Sequence, residues 1–304
     1  MLSVIIPFHN EKENLPVLLE RLEKVLSGIK TKSEIVLIDD GSNDSYESKF
    51  NSPNLNLKLI VQRKQSGKGR ALEVGLEKSK GDVIVFMDAD LQDSPEEIPL
   101  FIEKIEKGFD LVNGWRKKRN DPISKTLPSA IFNAMLLKPL LKSTFHDINC
   151  GFKAIKREVL EEIPLYGDNY RFLPVLAHQK GFKTTEVDVS HSPRMKGKSK
   201  YGFTRIFYGL FDTLTTYFVF RFSEKPLHFF GPIGGIAFVV GSIITVELTI
   251  ERLFFGVELY KRPLLLAGIF LIIIGLQVIL TGVLGELIVF LHKANLPAGR
   301  QERT

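Results

Sequence analysis

Asp82-Val-Ile-Val-Phe-Met-Asp88-Ala-Asp90-Leu-Gln92-Asp93 is the stretch on which the fold turns. Val83 to Met87 is apolar and partly β-branched, the pattern of a strand buried on both faces. The run stops at two carboxylates one residue apart, Asp88 and Asp90. Open α/β sheets bind ligands at the carboxyl ends of their parallel strands. Two carboxylates there, with the Gln92 amide close behind, form an oxygen-rich cluster suited to Mg²⁺ or Mn²⁺ that also holds a phosphate. A strand running into a solvated acidic turn would look the same over this stretch alone, so the rest of the chain has to decide.

Upstream, Leu2 to Pro7 reads as a first buried strand ended by proline. Leu15, Leu18, Leu19, Leu22, Val25 and Leu26 recur at helical spacing between Asn14 and Leu26. Glu34 to Ile38 is a second strand running into Asp39-Asp40-Gly41-Ser42, and Leu57 to Val61 is a third. A small-residue helix over Gly69 to Lys80 leads to the fourth, Val83 to Met87. Downstream, Pro95 to Lys107 has the pattern of an amphipathic helix, and Asp110 to Gly114 and Phe182 to Val189 that of strands. Ser129 to Leu141 is apolar enough for a buried or membrane-facing helix. Strands alternating with helices predict an α/β fold with a parallel, doubly wound sheet and right-handed crossovers. The loops Phe8 to Glu11, Asp39 to Ser42 and Asp88 to Asp93 then share one sheet edge. That convergence favours a ligand site over a solvated turn. Within it, Asp93 reads as a turn residue before Pro95.

The chain has 304 residues and a formal net charge of +6. A basic balance suits nucleic acid, a membrane surface or an anionic substrate. The single cysteine, Cys150, excludes an intramolecular disulfide, and no zinc spacing exists. Leu2 to Pro7 is too short for a signal peptide and lacks a basic leader. From Phe229 onward charge nearly disappears. Phe229 to Val246, extendable to Ile250, and Leu264 to Gly285 are apolar runs. A helix of about 22 residues is roughly 33 Å long, enough to cross a bilayer core. The two runs predict a transmembrane hairpin, whose Gly231, Gly234, Gly235 and Gly241 allow close helix packing and leave room for self-association. Before it, Phe203 to Phe222 mixes aromatic and basic residues as an interfacial helix does. With no export signal, the N-terminal domain is expected in the cytoplasm. Glu286, at the end of the second run, is either a functional group or a snorkelling end residue.

The later loops carry Arg116, Arg119, Arg194, Lys198 and Lys200. Arginine forks match phosphate oxygens, and such cations suit a diphosphate. Gln65 to Arg70 lacks the leading glycine and the Ser/Thr of a phosphate-binding P-loop. No Gly-x-Gly-x-x-Gly follows a strand, which argues against a dinucleotide cofactor. No Ser-His-Asp or Cys-His set suggests a covalent nucleophile. A carboxylate-rich, metal-bearing cleft with cations points instead to direct displacement, with a metal neutralising a leaving diphosphate. The hairpin points to a lipid acceptor. A lipid phosphate is already ionised at neutral pH and requires no strong general base.

Four segments together resemble a known family: Ser3 to Pro7 with Asn10-Glu11; Asp39-Asp40-Gly41-Ser42; Asp88 to Asp93; and Gly197 to Gly202. They look like a family 2 glycosyltransferase of GT-A fold, in the branch of polyprenyl-phosphate glycosyltransferases that includes dolichol-phosphate mannose synthases. The resemblance covers essentially the whole chain. It implies a mostly parallel, Rossmann-like sheet flanked by helices, then interfacial helices and the hairpin. It implies that Pro7, His9, Glu11, Asp39 and Asp40 surround the nucleotide base and ribose, with Lys68, Asp88 and Ala89 also on the nucleotide-sugar. It implies that Asp90 and Gln92, with Asp88, hold Mg²⁺ or Mn²⁺ and the diphosphate. Arg116, Arg194, Ser199 and Lys200 would bind phosphates of donor and lipid. Asp147 would sit near the reacting sugar, as base or positioning group, and is grouped with Asp90 as catalytic. Ser129-Ala130 departs from the Ser-Arg common in the mannose-synthase branch, so that one lipid-phosphate ligand is either absent or supplied by Lys125. The long extension with four further spans is also absent.

The expected organisation is a catalytic domain over residues 1–202, interfacial helices over 203–226, and a hairpin over 227–293 with spans at about 229–250 and 264–289, followed by a disordered tail. The expected reaction is inverting transfer of one sugar from a UDP- or GDP-sugar to a membrane polyprenyl phosphate, with no nucleic-acid partner. Two other readings stand beside it: a membrane-anchored family 2 enzyme with a glycan or glycolipid acceptor, and a non-catalytic nucleotide- or lipid-binding scaffold. A processive polysaccharide synthase is disfavoured, because Gln-x-x-Arg-Trp is missing and Trp115, the only tryptophan, lies in a basic loop.

Overall fold

A computed structural model of the chain describes residues 1–44, 56–117, 145–191, 218, 222, 225–256 and 263–294. The expectations for Lys125, Ser129, Ala130, Arg194, Ser199 and Lys200 lie outside the described residues. So do those for most of 203–226, for the 129–141 helix and for most of the tail. The chain divides into two compact units, Met1–Thr213 and Leu214–Thr304.

The first unit is built on a seven-stranded sheet of order β3-β2-β1-β4-β6-β5-β7. Its strands are β1 (Leu2–Phe8), β2 (Ser33–Asp39), β3 (Leu57–Val61), β4 (Val83–Phe86), β5 (Leu111–Trp115), β6 (Lys153–Lys156) and β7 (Thr184–Asp188). β1, β2, β3 and β4 are mutually parallel, as the alternating pattern predicts. The exception within the mostly parallel sheet is β6, which runs antiparallel to both β4 and β5. The chain enters this short strand from residues 145–152, whose polar sequence carries no direction signal. The sheet is therefore mixed but mostly parallel.

Helix α1 (Leu15–Ser27) begins with Pro16 in its first turn, where a missing N–H costs nothing. It buries Leu15, Leu18, Leu19, Leu22 and Leu26 against the sheet. α2 (Lys68–Lys78) packs Gly75 so closely that a Cβ there would lie 2.5 Å from Ile5. Pro95–Glu97 forms a short 3₁₀ turn rather than the start of the expected helix, and α3 (Ile98–Glu106) follows. α4 (Arg157–Glu162) and α5 (Leu173–Gln179) complete the described helices of this unit. From β1 the chain steps outward through β2 to β3, then returns to place β4 on the other side of β1. The crevice at such a switch point is where open α/β sheets receive ligands. Here it lies between Phe8 and Met87.

The second unit contains α6 (Leu227–Phe255) and α7 (Pro263–Ala294). Both are long and apolar enough to cross a membrane, with mean hydropathies of 2.0 and 2.7 over their candidate spans. They bear exposed Ile236, Phe254, Phe270 and Ile288, as lipid-facing helices do. Phe218 and Phe222 pack on Phe229 at the start of α6, with centroids 5.1 and 5.0 Å away. The two helices meet at small residues. A Cβ on Gly234 would lie 2.6 Å from the Gly275 carbonyl, and one on Gly241 would lie 2.6 Å from that of Gly268. The Glu286 carboxylate accepts the Leu227 N–H at 3.3 Å, satisfying a backbone donor at the α6 N-terminus. Gly234→Leu should therefore lower the melting temperature in detergent, on the scale of about 1–3 kcal/mol of overpacking. Gly235→Leu, with no atom within 4 Å of its added Cβ, should not. Equal melting of the two variants would contradict this packing.

Candidate active site

The loops after β1 and β2 are tied together by their own polar groups. His9 Nδ1 donates to the Asp40 carbonyl at 2.8 Å, which leaves Nε2 to accept from the Asn10 amide at 3.3 Å. Asn10 adopts a left-handed φ of 59°. It donates its N–H to Ser42 Oγ at 2.9 Å and accepts from Asn43 N at 2.7 Å. Asp39 accepts from Ser42 N at 2.7 Å. Asp40 uses both carboxylate oxygens on the backbone, accepting from Ser66 N at 2.7 Å and Gly67 N at 2.9 Å. Its carboxylate thus builds the start of α2, and Gly67, at φ 94°, turns the chain there. Glu11 accepts from Asn14 Nδ2 at 2.6 Å. The sequence-predicted Pro7, His9, Glu11, Asp39 and Asp40 are therefore brought to one edge, with Asp39 and Asp40 buried.

The β4 loop is the second wall. Asp88 pairs with Lys68, the first residue of α2. Burial alone would raise the Asp88 carboxyl, but the Lys68 charge and hydrogen bond hold it below its ordinary value. Burial likewise opposes the Lys68 charge, and Asp88 and Tyr170 more than restore it. Lys68 also lies over the Tyr170 ring, 5.1 Å from the centroid. Ala89 and Asp90 are buried. Leu91 takes a left-handed φ of 61°, a conformation that costs a non-glycine residue about 1–3 kcal/mol and clusters at functional sites. The bend lets Gln92 N donate to Asp90 Oδ1 at 3.2 Å. Beyond β7, Ser190 donates to Glu97 through both N–H and hydroxyl, at 2.8 and 2.7 Å. That docking sets His191 beside Gln92, with Nε2 accepting from the amide Nε2 at 3.4 Å.

The third wall comes from β5 and the turn before β6. Arg116 Nε donates to Asp147 Oδ2 at 2.7 Å, and its terminal nitrogen to Oδ1 at 3.1 Å. The pair is largely buried, with 16% and 6% of the two side chains exposed. Gly151 is required here, because a Cβ would lie 2.9 Å from Asp88 and 3.0 Å from Lys68. The turn therefore lies directly against the Lys68–Asp88 pair. Cys150 is buried, and its thiol is pushed up to about 12, so it supplies no nucleophile at neutral pH.

One residue corrects the sequence reading. Asp93, expected to be only a turn residue, is buried among the site's charges. Burial, then the neighbouring Asp88 and Asp90 carboxylates, push its carboxyl up to about 7, against the pull of Arg116 and Lys68. Its spacing from Asp88 and Asp90 was the available signal. A carboxyl with a folded pKa above its ordinary 3.8 contributes stability in its protonated form, lost as pH rises through about 7. Metal-free Asp93→Asn should thus melt higher than wild type near pH 8.5, with the gap closing toward pH 5.5. A gap independent of pH would show that Asp93 is not the titrating group.

Three other residues escaped the sequence reading. Lys153 is buried, and burial pulls its ammonium down to about 8. Asn113 and Glu186 bond the turn that carries Asp147. Polar residues inside otherwise apolar strands were their only mark.

Among the described residues no three His, Cys, Asp or Glu side chains group as a metal site. Asp88 is engaged by Lys68, so the donors that fit a divalent cation are the Asp90 carboxylate and the Gln92 amide oxygen. This oxygen set suits Mn²⁺ or Mg²⁺ when phosphate oxygens and water complete it.

The sequence matches the profile described as Glycosyl transferase family 2 over residues 3–164. Among curated relatives, it is 33% identical over 291 residues to the undecaprenyl-phosphate 4-deoxy-4-formamido-L-arabinose transferase of Photorhabdus laumondii, covering 94% of this chain and 88% of that one. It is 30% identical over 295 residues to the dodecaprenyl-phosphate galacturonate synthase of Rhizobium johnstonii, covering 94% and 87%. Among solved structures, glucosyl-3-phosphoglycerate synthase of Mycobacterium tuberculosis superposes with a TM-score of 0.55 at 19% identity, over 71% of this chain and 80% of that one. Another structure of that enzyme holds Mn²⁺ and UDP-glucose, at a TM-score of 0.53 and 19% identity over 71% and 78%. This likeness supports the GT-A fold, and the profile and the curated relatives establish membership: the chain is a glycosyltransferase of family 2.

Proposed function

We propose that the protein transfers one sugar, with inversion, from a nucleoside diphosphate sugar to a polyprenyl phosphate in the membrane. The observation that carries this reading is the joining, in one chain, of a family 2 catalytic unit and two membrane-length helices, over 94% of which it aligns with transferases named for undecaprenyl and dodecaprenyl phosphate. The nucleoside lies along the edge formed by Pro7, His9, Glu11 and Asp39, with Lys68 toward its phosphates. Arg194, Ser199 and Lys200 serve the phosphates of donor and lipid together with the site's other cations.

A lipid phosphate oxygen attacks the anomeric carbon. The new C–O bond forms as the bond to the diphosphate breaks, and the electron pair leaves with the nucleoside diphosphate. The attacking phosphate is already anionic, so the step requires no strong base, and Asp147 orients the sugar. Asp90 and Gln92 would hold Mg²⁺ or Mn²⁺, which when bound neutralises charge on the leaving diphosphate. Arg116 fixes the Asp147 carboxylate by two hydrogen bonds. The catalytic unit works on the cytoplasmic side, where nucleotide sugars are made.

The test uses purified full-length protein in detergent, Mg²⁺ or Mn²⁺, undecaprenyl phosphate and a panel of radiolabelled UDP- and GDP-sugars. One donor should label the lipid. If no donor does, the proposed acceptor is wrong.

A further inference from the structure

One face of the sheet carries a polar row. Glu186 on β7 pairs in register with Asn113 on β5, Asn113 with Lys153 on β6, and Lys153 with Phe86 on β4. Register partners send their side chains to the same face. The strand neighbours Val187, Val112, Ala154 and Val85 belong to the core on the opposite face. Asn113 and Lys153 are essentially fully buried, at 0% and 1% exposure. Polar groups at such depth are costly unless hydrogen-bonded. Asn113 donates to the carbonyl of its neighbour Gly114 at 3.1 Å, and both residues also bond the backbone of residues 146–150.

Glu186 takes the leading end of that turn. It accepts the His146 N–H with both oxygens, at 3.1 and 3.0 Å, and the Asp147 N–H at 3.3 Å. It also bonds His146 Nδ1 at 2.8 Å, and the His146 ring stacks on Trp115 with centroids 4.0 Å apart. Asn113 Nδ2 bridges the two, donating to the Asp147 carbonyl at 2.8 Å and to Glu186 at 3.3 Å. Lys153 takes the trailing end, donating to the Cys150 carbonyl and, at 3.4 Å, to that of Ile148. The turn closes on itself through Cys150 N to the Asp147 carbonyl at 3.4 Å.

We propose that Glu186 and Lys153 are positioning residues for sugar transfer: they clasp the 146–150 turn from its two ends and so aim the Asp147 carboxylate. This rests on the reading of Asp147 as the group beside the reacting sugar. Side-chain placement to within a fraction of an ångström decides rate more than affinity. The clasp should therefore act on kcat and leave donor binding alone, because the nucleotide edge at β1 and β2 lies across the sheet from β7.

The test compares full-length wild type with Glu186→Leu, Glu186→Gln and Lys153→Met in detergent. Hydrogen exchange followed by mass spectrometry should show faster exchange over residues 146–150 in Glu186→Leu and Lys153→Met, with β1, β2 and β4 still protected. Glu186→Gln, whose amide oxygen can still accept the backbone N–H groups, should stay near wild type. In the transfer assay Glu186→Leu should lose about tenfold or more in kcat, with the donor KM within about threefold, and Glu186→Gln should recover most of that loss. Unchanged exchange over 146–150 in Glu186→Leu would overturn the clasp. So would a glutamine variant no better than leucine, or a matching loss of nucleoside diphosphate affinity. A wild type that transfers no sugar would refute the proposed function instead, and the exchange data would still decide the clasp.

Discussion

Asp90→Ala is expected to lower sugar transfer by about 10³-fold, the scale seen when an electrostatic stabiliser of a developing charge is removed. Asp90 is buried at the carboxyl end of β4, beside the switch point between β1 and β4. Its neighbour Asp88 cannot replace it, because Lys68 already occupies that carboxylate. The left-handed Leu91 that follows it is buried in the core, and the bend it makes lets the loop turn back so that Gln92 N reaches Asp90. Deleting the carboxylate should cost kcat far more than donor affinity, because the charge it helps to balance grows as the diphosphate leaves. Chelation of divalent metal should reproduce the loss in the wild type, and Mn²⁺ or Mg²⁺ should reverse it. Chelation should add little to Asp90→Ala. Measured with labelled donor and undecaprenyl phosphate, near-wild-type activity in Asp90→Ala would remove Asp90 from the metal site.

The parts of this site legible in sequence are those where a strand ends. Val83 to Met87 announces its own burial, and Asp88 and Asp90 follow at once, so the chemistry is adjacent to the pattern that places it. The same holds for Asp39 and Asp40 after β2. What the sequence does not disclose is competition among polar partners. Asp40 looks like a ligand for ribose, yet its two oxygens satisfy Ser66 and Gly67 at the start of α2. Asp93 looks like a turn residue, yet burial beside Asp88 and Asp90 pushes its carboxyl up to about 7. Lys153 and Glu186 lie 37 and 70 residues along the chain from Arg116 and come beside it through the pairing of β6 and β7 with β5. The reversed direction of β6 brings Lys153 there, and no local propensity encodes that reversal.

Arg116 and Asp147 should separate stability from catalysis. The pair is buried and joined by two hydrogen bonds, in the fork geometry that only arginine supplies. Arg116→Met leaves a buried carboxylate without its cation and should destabilise the catalytic unit by about 3–5 kcal/mol. Adding Asp147→Leu removes the orphaned charge, and a buried ion pair replaced by apolar groups of similar size is often neutral. The double variant should therefore melt near the wild type and still transfer no sugar, since the carboxylate proposed to orient the sugar is gone together with its partner. Arg116→Lys should fold, because charge is kept, yet lose about 10²-fold in transfer, because a single ammonium cannot hold both Asp147 oxygens in place. Thermal melting and transfer rates on the same preparations decide the matter. A double variant as unstable as Arg116→Met would mean that the pair holds the fold by packing rather than by charge. An active Arg116→Lys would mean that the orientation of the Asp147 carboxylate does not govern the chemical step.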